Sequence, residues 1–271
     1  MNLRVDIEQI VRDRSPQFAK KIPGWVFRRA KRIIRQDEIN SVLEKYGHLE
    51  GIAFIQAVLD EWGYDPQVKI LGDIDPSKKY IFASNHPLGG LDGLILANEI
   101  EKRFGPVQIM VNDLLMHLEP IKSLFVPINK YGKQTSEYVR ELDKMYASDA
   151  QVLLFPAGDC SRKTGGCVQD AKWKKNVITK AVQFQRDVVP VLFDATNTKR
   201  FYRVSSFRKA IGIKTNIEMV LLPGEMFRQP NKSMDIIFGE PIPFTTFSKE
   251  KRPDEWAQWL REQVYALKTA Q

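Results

Sequence analysis

From residue 68 onward the chain alternates between short apolar runs and stretches of helical period. The runs at 68–71, 80–84, 108–111, 124–128, 152–155 and 188–193 are strand-sized, and helical patterns fill 92–104, 112–123, 136–146 and 172–186. A short strand that is apolar throughout has to be covered on both sides. A chain does this by returning each strand through a helix, which makes the neighbouring strands parallel. The pattern therefore predicts an α/β fold with a mostly parallel central sheet flanked by helices. Two late strands are predicted at 217–222 and 234–238, and an amphipathic helix at 253–268. Before residue 66 the texture is wholly helical, with pieces at 25–35, 37–45 and 48–62, so a helical segment over 1–65 precedes an α/β domain over 66–271.

The first strand-to-helix step inside that domain is KYIFASNHPLGGLDGLIL, residues 79–96. Tyr80 to Ser84 make the strand, Asn85-His86-Pro87-Leu88-Gly89-Gly90 the loop, and a helix opens near Asp92. In open α/β sheets chemistry gathers at the carboxyl ends of strands, and this loop carries one of the three histidines. Histidine can accept and return a proton near neutral pH, and a carboxylate can orient its ring, so His86 and Asp92 read as a base and its partner. Taken alone, His86 reads better as a satisfied structural group, and Asp92 is well placed as a helix cap. His48 and His117 read as structural.

A second loop follows the strand at 152–155: Phe155-Pro156-Ala157-Gly158-Asp159-Cys160-Ser161-Arg162-Lys163. It collects a flexible glycine, a hydroxyl, a carboxylate and two cations. Arg162 and Lys163 suit an anionic head group, Arg by a two-pronged hydrogen bond and Lys as a point charge; an ordinary charged surface loop is the other reading.

The net charge of +8 is concentrated at the start, where residues 1–35 hold ten Lys or Arg against three acids. Over 25–35 a helical wheel puts Val26, Phe27, Ala30, Ile33 and Ile34 on one side and Arg28, Lys31, Arg32 and Arg35 on the other. Such a helix fits the surface of an anionic bilayer, or it packs its apolar side on its own domain. No nucleic-acid partner is expected, since neither a recognition motif nor interleaved aromatics accompany the charge. Cys160 and Cys167 are expected as unpaired thiols, and three scattered histidines leave no metal site. No apolar run reaches membrane-span length, and the first residues hold no export signal, so a cytoplasmic protein is expected.

Asn85-His86 with Asp92, then Phe155-Pro156-Ala157-Gly158 with Ser161-Arg162, resembles the lysophospholipid and glycerol-3-phosphate acyltransferase family. The weaker family blocks fall in order at Val126-Pro127-Ile128-Asn129-Lys130 and Val188-Val189-Pro190-Val191, and the likeness spans about 68–245. The chain departs from the family pattern in three places. Five residues separate His86 from Asp92 where four are usual, and Gly89-Gly90 can absorb the extra one. Ala157 stands where the family has glutamate, which leaves Asp159 as the nearby carboxylate, and Lys130 stands for the usual arginine. His-Pro-x-Gly-Gly-Leu-Asp-Gly with Phe-Pro-Ala-Gly resembles the branch often labelled hemolysin-like, some of whose members resemble O-acyltransferases of lyso-ornithine or lyso-glycine lipids.

The resemblance implies transfer of a fatty acyl group from acyl carrier protein or coenzyme A to a hydroxyl of a lyso-lipid, with the thioester as co-substrate and no further cofactor. It makes His86 and Asp92 the catalytic pair. Asn85, Gly89, Gly90, Lys130, Phe155, Pro156, Gly158, Asp159, Ser161, Arg162 and Lys163 become substrate-binding candidates, with backbone N–H groups near Gly89 and Gly90 facing the developing oxyanion. It also gives the basic amino-terminal segment a use, as peripheral attachment to the inner face of the cytoplasmic membrane. Two other classes share these residues: a lipid-binding protein without turnover, and a thioester or lipid hydrolase that uses His86 on water. The absence of a Gly-x-Ser-x-Gly elbow disfavours a serine hydrolase.

Overall fold

The computed structural model describes residues 4–112, 118–128, 136–213, 216–229 and 233–269. Five helices come first: α1 (Ile7–Arg14), α2 (Pro16–Ala19), α3 (Gly24–Ile33), α4 (Gln36–Tyr46) and α5 (Gly51–Glu61). Then follow β1 (Asp65–Ile70), β2 (Tyr80–Ser84), α6 (Gly90–Phe104), β3 (Val107–Asn112), a 3-10 turn (Glu119–Leu124), β4 (Phe125–Ile128), α7 (Ser136–Ala147) and β5 (Gln151–Leu154). A hairpin of β6 (Arg162–Thr164) and β7 (Cys167–Gln169) leads to α8 (Asn176–Phe184), β8 (Asp187–Asp194) and α9 (Lys199–Ala210). A second 3-10 turn (Ile217–Leu221), α10 (Leu222–Met226), β9 (Ser233–Phe238) and α11 (Pro253–Ala266) complete the chain.

Seven of these strands form one sheet in the order β1-β9-β8-β2-β5-β3-β4. β8, β2, β5, β3 and β4 run parallel, while β9 is antiparallel to β8 and parallel to the edge strand β1. The expected α/β fold with a mostly parallel sheet is the fold observed. Alternate residues of one strand serve opposite faces. Tyr80 and Phe82 point into a core roofed by α4, α5 and α6, and Ile81 and Ala83 into a second core under α7, α8 and α11. Residues from α4 and α5, such as Leu43, Ile55 and Val58, thus share a core with the sheet. A third, smaller cluster joins Cys160, Phe201, Tyr202, Leu221 and Leu222 beside the loops that leave β2 and β5.

Two expectations need correction. Residues 217–222 are not a strand: they make the second 3-10 turn and run into α10, with the carboxylate of Glu218 buried against Arg162 and Arg208. The stretch expected as a helix over 112–123 is, where described, the end of β3 and the first 3-10 turn; His117 lies outside the described residues. α9 lies in the stretch 194–216, to which no element is assigned from the sequence. Two readings were open for α3, and the packed one describes its geometry: Phe27 and Ile34 are buried, while Arg28, Arg29, Arg32 and Trp25 face outward. Lys31 pairs back to Asp6 at 3.0 Å and Glu8 at 3.3 Å, tying α3 to α1. Among the described residues no helix is long and apolar enough to cross a membrane.

Candidate active site

β2 is buried along its whole length, so the chain that leaves it emerges at the middle of the sheet's carboxyl edge. Asn85 fixes the exit. Its side-chain amide donates to the Phe193 carbonyl at 3.0 Å and its oxygen accepts from the Phe193 N–H at 2.8 Å, which locks the loop to β8. The Pro87 carbonyl is held by the Asn197 amide at 2.9 Å. Gly89 sits at φ +84°, a region closed to most side chains, and a Cβ there would stand 2.7 Å from Leu222 Cδ1 and 3.0 Å from Cys160 Sγ. Only glycine lets the loop turn here and start α6 against the third cluster.

α6 begins at Gly90, two residues earlier than expected, so Asp92 lies within its first turn rather than ahead of it. From there the carboxylate reaches back. Oδ2 accepts from the Leu88 N–H at 2.8 Å and lies 3.1 Å from His86 Nδ1, while Oδ1 accepts from the Gly93 N–H at 2.9 Å. An ionised carboxylate only accepts, so Nδ1 carries the proton and Nε2 is left as the basic nitrogen. Asp92 is fully buried, and three donors make that burial tolerable. The imidazole is largely buried, with its ring stacked on Phe155 at 4.0 Å between centroids and 28° between planes. Burial disfavours the charged ring, but Asp92, by charge and hydrogen bond, and then Asp170 and Asp159 outweigh it, raising the His86 pKa above its ordinary value.

Asp170 escaped the reading of the sequence. It follows β7, is buried, and gathers three donors: the His86 backbone N–H at 3.2 Å, the Ser161 hydroxyl at 2.6 Å and the Trp173 indole at 2.9 Å. Burial pushes its carboxyl up, and those donors, Ser161 foremost, pull it back. The Ser161 N–H in turn donates to the His86 carbonyl at 2.7 Å, so the two loops are joined through both backbone groups of His86. A signal existed in the spacing Asp170-x-x-Trp173, but only the fold shows what it holds.

The other candidates divide by what they touch. Phe155, Pro156, Gly158 and Asp159 line the turn after β5, beside His86; Ala157 is buried where the family pattern has glutamate. Lys174, not among the candidates read from the sequence, lies over Gly158: a Cβ added there would be 2.7 Å from its Nζ. Ser161 is buried on Asp170, as described. Arg162 turns inward, with Nε donating to Glu218 Oε1 at 3.0 Å, Nη1 to the Cys160 carbonyl at 2.7 Å, and its guanidinium over the Phe201 ring at 4.8 Å. Lys163 is exposed on the β6–β7 hairpin. Lys130 lies outside the described residues. His48 is exposed in the turn after α4, away from this constellation. Chemically, the arrangement is a buried, oriented imidazole at the N-terminus of a helix, where unpaired backbone N–H groups favour negative charge.

The chain matches the family model described as Acyltransferase over residues 9–271. It is 40% identical to a lyso-glycine lipid O-acyltransferase of Bacteroides thetaiotaomicron, over 97% of either chain. It is 39% identical to the enzyme of the same name from Phocaeicola vulgatus, over 97% of this chain and 95% of the other. Among solved structures, a 1-acyl-sn-glycerophosphate acyltransferase of Thermotoga maritima aligns at 15% identity with a TM-score of 0.44, over 96% of this chain and 88% of that one. The chain therefore belongs to the acyltransferase family, and it is an enzyme that transfers acyl groups.

Proposed function

We infer that the protein is a lyso-lipid O-acyltransferase whose acceptor is a lyso-glycine lipid and whose donor is a fatty acyl thioester on acyl carrier protein or coenzyme A. The acceptor follows from the two similar enzymes of that name at 40% and 39% identity over nearly the whole chain. The observation that carries the chemistry is the His86–Asp92 pair at the carboxyl end of β2.

An alcohol is too weak an acid to attack a thioester unaided at neutral pH. His86 Nε2 takes the hydroxyl proton as the alcohol oxygen bonds to the thioester carbon, and Asp92 stabilises the imidazolium. The carbonyl oxygen becomes an oxyanion, for which the amides around Gly89 and Gly90 at the start of α6 are the stabilising donors. When the intermediate collapses, the C–S bond breaks, the imidazolium returns its proton to the departing thiolate, and an ester and a free carrier thiol remain. No acyl-enzyme is needed. A glycine head group presents a carboxylate, and our candidates to receive it are Lys163 on the β6–β7 hairpin and Lys174 over Gly158. The enzyme works at an anionic membrane surface, where its acceptor resides.

The test is mass spectrometry of purified protein incubated with a fatty acyl thioester and lyso-glycine lipid. The expected product is the doubly acylated lipid. His86→Ala should lower its formation by about 100-fold to 10,000-fold while the protein stays folded. Free fatty acid in place of the lipid product would support a hydrolase, and tight acceptor binding without turnover a lipid-binding protein.

A further inference from the structure

The apolar side of α3 is occupied by the protein itself, so a bilayer would have to be met by another surface. Of the ten large apolar side chains exposed among the described residues, five fall between Phe207 and Val220, which is a cluster rather than scatter. Phe207 is 66% and Ile211 53% exposed, and four residues apart they share the outer side of α9, whose inner side sends Phe201 and Ser205 into the interior. In the 3-10 turn Ile217–Leu221, residues three apart lie one above the other, so Ile217 and Val220, 46% and 48% exposed, form a second apolar ridge. α9 packs on this turn, and the turn packs on α3. The approach continues into α10, where a Cβ on Gly224 would stand 2.5 Å from the Ile33 carbonyl oxygen.

The exposed charge carried by these elements has one sign. α3 and α9 contain no acidic residue; α3 presents Arg28, Arg29 and Arg32 outward, and α9 presents Arg200, Arg203 and Lys209. The acids of the turn and α10 are buried and engaged, Glu218 by Arg162 and Arg208, Glu225 by Thr198 and Arg228. Exposed carbon between cations complements an anionic bilayer, and the exposed acid beside α3, Asp6, is paired with Lys31. The ridges set it apart from a nucleic-acid surface, which would need charge but not aliphatic carbon. The inner side of the same turn touches the chemistry. Leu222 packs on Gly89 of the His86 loop, and Glu218 holds Arg162 of the second loop.

We propose that α9, the 3-10 turn Ile217–Leu221 and the outer side of α3 form the face by which the enzyme docks on an anionic lipid bilayer, next to the loops that carry His86 and Arg162. The proposal rests on the lyso-lipid reading only for why the enzyme visits a bilayer; docking is measured without turnover, so the two fail separately.

The experiment pellets the full chain with phosphatidylcholine vesicles, with and without phosphatidylglycerol. The wild-type protein should pellet with the anionic vesicles. Phe207→Ser/Ile211→Ser/Val220→Ser, at exposed positions, should lower the bound-to-free ratio about tenfold or more, and Arg200→Gln/Arg203→Gln/Lys209→Gln should do the same. Val182→Ser, which removes an exposed apolar side chain from α8, should leave it unchanged. Thermal melts check the fold, and both triple variants should turn over detergent-dispersed acceptor as the wild type does. Wild-type protein left in the supernatant, or triple variants that pellet normally, would overturn the proposal. So would binding to duplex RNA in place of vesicles, or a dimer that the apolar variant dissolves while vesicles stay unbound. An inactive wild-type protein that docks sinks the functional reading alone.

Discussion

Burial alone would hold the His86 imidazole neutral, and carboxylates reverse this, Asp92 first and then Asp170 and Asp159. The proposed base must be unprotonated to work, so on that proposal a raised pKa costs activity on the acid side. kcat/KM should climb with pH through an apparent value above the ordinary 6.5, read from a pH–rate profile. Asp92→Asn should move that limb to lower pH and cut the rate by about 100-fold or more, because ring orientation is lost along with the charge. Asp170→Asn should also move it to lower pH, with a smaller loss, since Asn can still accept from the His86 N–H; a limb that stays put would mean that Asp170 acts on packing alone. The same shift makes protonated His86 favour the folded state below pH 6.5, a contribution that fades as pH rises through the folded value. His86 and Asp92 were legible in the sequence because they sit six residues apart on one strand-loop-helix step. Asp170 was not, because it is 84 residues from the backbone N–H it holds.

Among the elements, β2, β5 and β8 announced themselves because they are buried on both faces and so are apolar without interruption. α9 gave no such signal. Its apolar residues point both inward, as Phe201 does, and outward, as Phe207 does, so no single stripe emerges from the background of Lys and Arg. Residues 217–222 misled for the opposite reason: Ile217, Met219, Val220 and Leu221 resemble a strand, but Glu218 is drawn inward by two arginines and Pro223 suits the start of a helix. At the amino end of the strands, Arg186 follows α8 and donates to the carbonyls of Tyr146 at 2.8 Å and Ala150 at 2.7 Å, and also to Tyr80 and Ser148. It fastens the end of α7 to β2 and β5, and burial lowers its own pKa. Arg186→Met keeps the bulk and strands those carbonyls; a loss of about 2–4 kcal/mol is expected from urea unfolding, with the His86 pH profile unmoved.

At the scale of the whole molecule, two layers of helices enclose the sheet, and its carboxyl edge carries the His86–Asp92 loop, where sheets of this class place their sites. The layers have different jobs. α8 and α11 hold the second core, and Tyr265 and Arg261 of α11 reach Asp170, accepting from its N–H at 2.8 Å and donating to its carbonyl at 2.8 Å. Removing α11 should therefore abolish turnover and not only lower the melting temperature; a folded, active enzyme truncated before Pro253 would contradict this. The segment over 1–65 was legible as helical but not in its placement, because a wheel shows which side is apolar and not what covers it. Among the described residues β1 has one neighbour in the sheet, β9, with Asp65 opposite Ser233 and Ile70 opposite Phe238, and Pro66 and Lys69 discourage other chains from adding to its outer side. During synthesis, then, β1 waits with open hydrogen-bonding groups until β9 has left the ribosome. A chain that stops short of β9 would keep that edge unpaired, with Pro66 and Lys69 as its guard against other strands.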